Sequence, residues 1–195
     1  MSLLSLEHSR AAYRADFALH GAAVVTMATL LLMRGPHEHG LALAAFILAG
    51  LAGWSGLEYA LHRFVLHGLQ PFRRWHGAHH LRPTALIYTP TLMSAALIVT
   101  LVFLPAWALT DLWRACALTL GLTTGYLAYA TTHHAVHHWH PTTAWLRQRK
   151  RWHAVHHHAG RSACYGVTSP FWDHVFGSAA SSRRRAEPLP VEEPS

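Results

Sequence analysis

Nineteen of the 195 residues are histidine, more than Lys and Arg together, which total sixteen. Packing has no need of so many imidazoles, and their spacing is ordered. Two HxxHH patterns occur, His76/His79/His80 and His153/His156/His157, with His62/His67 five residues apart and His133/His137 four apart. Residues i, i+3 and i+4 of a helix share one face, so these spacings present several rings together, as metal ligands must be presented. His62 and His67 would stand about 140° apart on an ideal α-helix. That suits a helix end, or two ligands that flank a metal cluster from different angles. His134/His138 repeats the four-residue spacing one position along, so spacing alone leaves the register of the third motif open. One tetrahedral ion takes four ligands; the four motifs offer ten imidazoles, enough for two ions. Imidazole serves zinc, copper, iron and nickel alike. Cysteine-based clusters are excluded, because Cys116 and Cys164 form neither a CxxC nor a disulfide framework. The alternative use of these histidines is a hydrogen-bonded network without metal.

The elements that carry them are apolar. Hydrophobic residues make up 51% of the chain and charged ones 13%, against ~25% charged in an ordinary soluble domain. This excludes a disordered chain, a coiled coil and most soluble enzymes. Four apolar stretches, residues 17–33, 41–61, 86–109 and 112–132, approach the ~20 residues that cross a bilayer as helix. Soluble core helices rarely run so long without charges. Arg10 and Arg14 precede the first stretch in the manner of a signal peptide, but its apolar run is long and no small-residue cleavage site follows. It is expected to be a retained span. The expected fold is all-α: an integral-membrane bundle of four transmembrane helices with a histidine-rich helical cap. Residues 1–178 form that domain, and 179–195 a disordered tail whose run Arg183-Arg184-Arg185 either touches anionic lipid or is simply solvated.

Loop charge gives the orientation. Placed on this topology, fourteen Lys and Arg fall on one side and only Arg34 and Arg114 on the other. Cytoplasmic loops hold the excess, so both termini are expected in the cytoplasm. Two crossings separate the second histidine group from the third, and all four groups therefore face that same compartment. In a bacterium this is the inner membrane. The net charge of +7 is accounted for by membrane orientation, with no nucleic-acid partner expected.

Taken in order, the motifs resemble the fatty acid hydroxylase/sterol desaturase superfamily of membrane histidine-rich diiron oxygenases. HRFVLH at 62–67 is similar to its first motif, WHGAHHLRP at 75–83 to its second, YATTHHAVHH at 129–138 to its third and WHAVHH at 152–157 to its fourth. GVTSPFWDHVFG at 166–177 resembles the closing segment, most of all in the fatty acid 2-hydroxylase branch. The resemblance runs from about residue 45 to 178. It implies as metal ligands His62, His67, His76, His79, His80, His133, His137, His153, His156 and His157, the offset from Tyr129 selecting His133/His137 over His134/His138. His138, His140 and His158 are left as supporting or surface groups, and His174 without a role. His8, His20, His37 and His39 lie outside the motifs.

The resemblance implies two iron ions, with zinc as a substitute, and O₂ as co-substrate. The implied activity is oxidation of a lipid or fatty acyl C–H bond with two electrons. No haem-binding His-Pro-Gly-Gly occurs, so the electrons are expected from a separate protein, cytochrome b5-like or a ferredoxin. A desaturase or a sterol or carotenoid oxidase could use the same centre. A non-catalytic metal-binding or transport protein would place ligands near the bilayer midplane, and a zinc hydrolase would show HExxH or G-x-S-x-G. Glu58, one turn before His62, is expected either to fix a ligand histidine's tautomer or to pair with Arg63. Asp173 is expected to cap a local turn in preference to that orienting role.

Overall fold

A computed structural model describes residues 7, 9–158 and 163–180. Most of the expected C-terminal tail, including Arg183-Arg184-Arg185, lies outside the described residues. So do His8 and Arg161.

Among the described residues the chain is all helix and connecting turn, with no strand. Helix α1 (Arg10–Arg34) starts where the Ser9 hydroxyl accepts the Ala12 N–H, and ends at Gly35. A 3₁₀ turn (His37–His39) leads into α2 (Gly40–Ala60), which continues without a break into a π-helical turn (Leu61–Leu66). Helix α3 (Phe72–Leu81) follows. The third apolar stretch becomes helical only at Thr91, because Pro90 sits at the N-cap and disfavours helix in the residue before it. It then runs as α4 (Thr91–Ile98), a π-turn (Val99–Phe103) and α5 (Leu104–Leu109). Pro105 has no N–H to close an i→i−4 bond, and the helix widens immediately before it. Helix α6 (Leu112–His138) is capped by Asp111, and α7 (Ala144–His157) by the Thr143 hydroxyl. A single turn of helix, α8 (Phe171–Val175), completes the described chain.

Three helical stretches are long and apolar enough to cross a membrane: Arg10–Arg34, His37–Leu66 and Thr91–Leu109. The chain is an integral membrane protein. Helix α6 is as long but is not one of these three, and its position explains its composition. It lies at the centre, with thirteen buried residues, many of them small or hydroxyl-bearing, such as Ala115, Ala117, Thr119, Gly121 and Thr123. Small residues let helices approach closely where lipid gives no hydrophobic drive between them. A Cβ on Gly50 of α2 would sit 2.1 Å from the Leu118 carbonyl oxygen, and one on Gly121 would sit 2.0 Å from that of Ile47. The α2 and α6 backbones are therefore in contact. Trp54, Leu122 and Tyr126 fill the bundle on one side of this crossing, and Leu31, Leu43, Ala117 and Leu120 the other. The close crossing fixes the ends of α2 and α6, from which His62 and His133 emerge together.

Candidate metal centre

Ten histidines converge in two groups of five. His62, His67, His76, His80 and His156 form one; His79, His133, His137, His153 and His157 form the other. Within each, one ring nitrogen per residue lies within 4.8 Å of every other. The grouping follows from helix geometry. In α3, His76 and His80 are one turn apart and go to the first group, while His79, on the flank of that face, goes to the second. Helix α7 does the reverse: His153 and His157 enter the second group and His156 the first. The end of α2 supplies the remaining pair of the first group, and α6 that of the second. The groups touch where the His80 and His157 rings stack, 4.2 Å apart and 13° from parallel.

The five-residue spacing of His62 and His67 is resolved by the π-turn. A π-helix bonds i to i+5, and the His67 N–H reaches the His62 carbonyl at 3.3 Å. The two rings therefore share one face, 5.3 Å apart, instead of diverging by the ~140° of an α-helix. The two pairs of the third motif face different ways. His133 and His137 face His79 and His153, while His134 and His138 stack on each other on another face of α6. The His134 Nδ1 is bonded to the Tyr13 hydroxyl at 3.0 Å. Tyr129 stacks nearly parallel on the His133 ring.

The donor set fits metal ions. A backbone carbonyl can only accept, so His62 Nδ1–H donates to the Tyr165 carbonyl (2.5 Å) and His156 Nδ1–H to that of Ala163 (2.9 Å). A neutral ring has one N–H, and Nε2 of each is left with a lone pair facing the first group. Burial, reinforced by the neighbouring imidazoles, pushes His79 down to about 3 and His67 down to about 4. Burial likewise carries His156 down to about 3 against the Ala163 hydrogen bond, which raises it. These rings are neutral at pH 7, as ligation needs. Both His79 ring nitrogens are buried and have no hydrogen-bond partner. Nε2 atoms face each other at 3.0 Å between His62 and His76 and at 2.8 Å between His137 and His153. A cation would satisfy lone pairs aimed at one another in this way.

Glu58 neither accepts a histidine N–H nor pairs with Arg63. Its Oε1 accepts the Val167 and Thr168 N–H groups at 2.8 and 2.9 Å, and its Oε2 accepts the Thr168 hydroxyl. Arg63 donates instead to the Tyr59 hydroxyl. Asp173, fully buried, accepts Tyr165 N–H and the Ser178 hydroxyl on Oδ1 and Gly166 N–H on Oδ2. The two carboxylates pin both sides of the 165–168 segment, whose Tyr165 carbonyl holds His62. They orient the histidine through a backbone. Sequence reading misses the Tyr165 and Ala163 carbonyls because backbone acceptors leave no residue signature.

A cavity opens beside the cluster. His76, His79 and His133 form part of its wall, and Tyr13, Asp16, Phe17, Trp75, Tyr88, Tyr126 and Tyr129 most of the remainder. Asp16, buried inside α1, has no part in the motif reading.

Known proteins resemble this chain over most of its length. The family model described as fatty acid hydroxylase matches residues 47–178. A dihydroceramide fatty acyl 2-hydroxylase of Arabidopsis thaliana is 33% identical, over 71% of this chain and 62% of its own. The ceramide very long chain fatty acid hydroxylase of Schizosaccharomyces pombe is 32% identical, over 68% and 42%. The solved structure of full-length scs7p, with only its hydroxylase domain visible, superposes with a TM-score of 0.72 at 26% identity, covering 87% of this chain and 67% of that one. The chain thus spans less than two thirds of the length of both curated relatives. With its family match covering most of the chain and every matched histidine motif gathered at one end of the bundle, the chain belongs to the fatty acid hydroxylase family.

Proposed function

We propose that this chain is a non-haem diiron oxygenase that hydroxylates a C–H bond of a fatty acyl lipid. The observation that carries the reading is the pair of five-histidine groups bordering an aromatic-walled cavity. His62, His67, His76, His80 and His156 would hold one iron, and His79, His133, His137, His153 and His157 the other, with zinc as a substitute. When bound, the irons supply O₂ activation and the oxidising power that an unactivated C–H bond requires. The protein's part is to hold the rings, exclude water and position the acyl chain. The Tyr165 and Ala163 carbonyls keep His62 and His156 in the Nδ1–H tautomer. Phe17, Trp75 and Tyr129 give the chain an apolar wall beside His76, His79 and His133. The two electrons come from a separate protein of cytochrome b5 or ferredoxin type.

In this reading α6 is a fourth span, sheltered from lipid by the other three. The metal centre, capped by α3 and α7, and both termini face the cytoplasm. Reporter fusions at Gly35 and beside Asp111 are expected to read as external, and fusions after Ser178 as internal. An external C-terminus would reverse the assignment.

Asp173→Asn tests the indirect support of His62. One of its two oxygens becomes a donor facing an N–H, and the Tyr165 carbonyl loses its anchor. Chelator competition is expected to show the first group weakened about 10–100-fold, the range for lost outer support of a ligand, with the second group unchanged. Equal weakening of both would show general destabilisation instead.

Lipid analysis of cells expressing the chain, against cells without it, tests the activity. Hydroxylated acyl chains are expected. New double bonds without hydroxyl products would make the chain a desaturase.

A further inference from the structure

Three aromatic rings lead from the second histidine group into the bundle. Tyr129 stacks on the His133 ring, 5.8 Å between centroids and 7° from parallel. Trp54 touches Tyr129 at 5.9 Å and Tyr126 at 5.3 Å. It fits against α6 because Gly125 has no side chain: a Cβ there would meet Trp54 at 2.7 Å. The path ends on a proton acceptor. The Tyr126 hydroxyl donates to Asp16 Oδ2 at 2.8 Å, and Asp16 is 2% exposed inside a membrane-crossing helix. Its Oδ1 has no hydrogen bond. His20 Nδ1 comes within 3.4 Å of that oxygen, but donates its proton to the Asp16 backbone carbonyl at 2.8 Å. A charge inside a span is costly, and a proton arriving at Asp16 removes it. The other histidine group touches Tyr165, which leads to Tyr59. The Tyr59 hydroxyl bonds only Ser178 and Arg63, and neither takes up a proton.

We infer that Tyr129, Trp54 and Tyr126 carry an oxidising equivalent away from the histidines when the cavity holds no substrate, and that it comes to rest on Tyr126 as the phenolic proton passes to Asp16. This rests on the reading of the histidines as a centre that activates O₂. One electron leaves Tyr126, moves through Trp54 and Tyr129, and reduces the oxidised centre by one. The Tyr126 O–H bond breaks, and its proton crosses the existing hydrogen bond. The products are a neutral tyrosyl radical and the carboxylic acid of Asp16. An electron returned from the electron-transfer protein, through the centre and the same rings, reverses both moves. The Trp54 Nε1–H has no acceptor, so Trp54 relays the charge without shedding a proton. Tunnelling decays exponentially with distance. Three ring contacts are therefore faster than one jump over the ~10 Å of α6 between Tyr126 and His133. The path spares the ligand rings beside which the oxidant is made.

The test is electron paramagnetic resonance of the full chain loaded with ferrous iron and mixed with O₂ in alkyl maltoside, without acyl lipid. Iron content and O₂ uptake are measured on the same samples. A tyrosyl radical is expected, and its signal gains fluorine splitting when fluorotyrosine replaces Tyr126 alone. Asp16→Asn is expected to lower the radical yield per iron-loaded chain at least about tenfold, the worth of a charged acceptor. The protonated-carboxyl band that accompanies the radical in infrared difference spectra disappears with it. Trp54→Phe removes the middle ring, keeps the Tyr126–Asp16 hydrogen bond and also lowers the yield. A purely structural role for these residues would leave the yield per iron-loaded chain unmoved. Three results overturn the inference and leave the oxygenase reading standing: O₂ uptake without a radical, a radical without fluorine splitting, or a yield unchanged in Asp16→Asn or Trp54→Phe. An iron-loaded chain that takes up no O₂ overturns the oxygenase reading and the inference with it. If Asp16→Asn does not fold, the fluorotyrosine and Trp54→Phe samples, which keep the carboxylate, still decide.

Discussion

His133→Ala and His137→Ala are each expected to abolish product formation, whereas His134→Ala and His138→Ala leave turnover within about 100-fold of the unaltered chain. The four residues lie within one and a half turns of α6 and differ only in facing. His133 and His137 meet His79, His153 and His157 inside the second group. His134 and His138 stack on each other outside it, and His134 contacts Tyr13, a wall residue of the cavity. Losing a ring from the group removes a metal donor. Losing His134 frees one tyrosine hydroxyl. The measurement is hydroxylated lipid per milligram of folded protein, with metal content determined on the same samples. Activity surviving His133→Ala but lost in His134→Ala would place the metal on the other face of α6.

The second large effect is a division of metal content. Helices α3 and α7 each feed both groups, so neighbouring histidines of one motif have opposite consequences. His76→Ala with His156→Ala strips the first group and leaves the second whole; His79→Ala with His153→Ala does the converse. Each double variant is expected to fall from two irons per chain to about one and to lose turnover. His76→Ala with His79→Ala, though confined to one motif, weakens both groups. If the ten histidines served a single shared site, the first two double variants would lose all metal together.

The sequence showed the donors but not their allocation. Helical spacing identifies His76, His79 and His80 as co-facial, yet the division of that face between two groups depends on where His153, His156 and His157 of α7 come to lie, which is a tertiary fact. The five-residue spacing of His62 and His67 conflicts with an α-helix and agrees with the π-turn, for which Leu61–Leu66 carries no compositional signal. Glu58 was legible as a carboxylate out of place in apolar sequence. Its partners were not, since Val167 and Thr168 are 109 and 110 residues away. Asp16 falls just before the first apolar stretch, which begins at residue 17, whereas α1 begins at Arg10 and encloses it. An acid four residues before His20 was the available signal. Apolar length found α6 as well as α1, α2 and the α4–α5 stretch, but length alone does not distinguish a helix facing lipid from one like α6 with thirteen buried residues.

The most direct measurement is the iron-to-chain ratio of protein loaded with ferrous iron without oxygen, with Mössbauer spectra of the same sample. Two irons per chain, both in nitrogen-rich coordination and in equal amounts, is the expected result. One iron per chain, with half of the ten histidines still free to titrate, would contradict a two-metal centre.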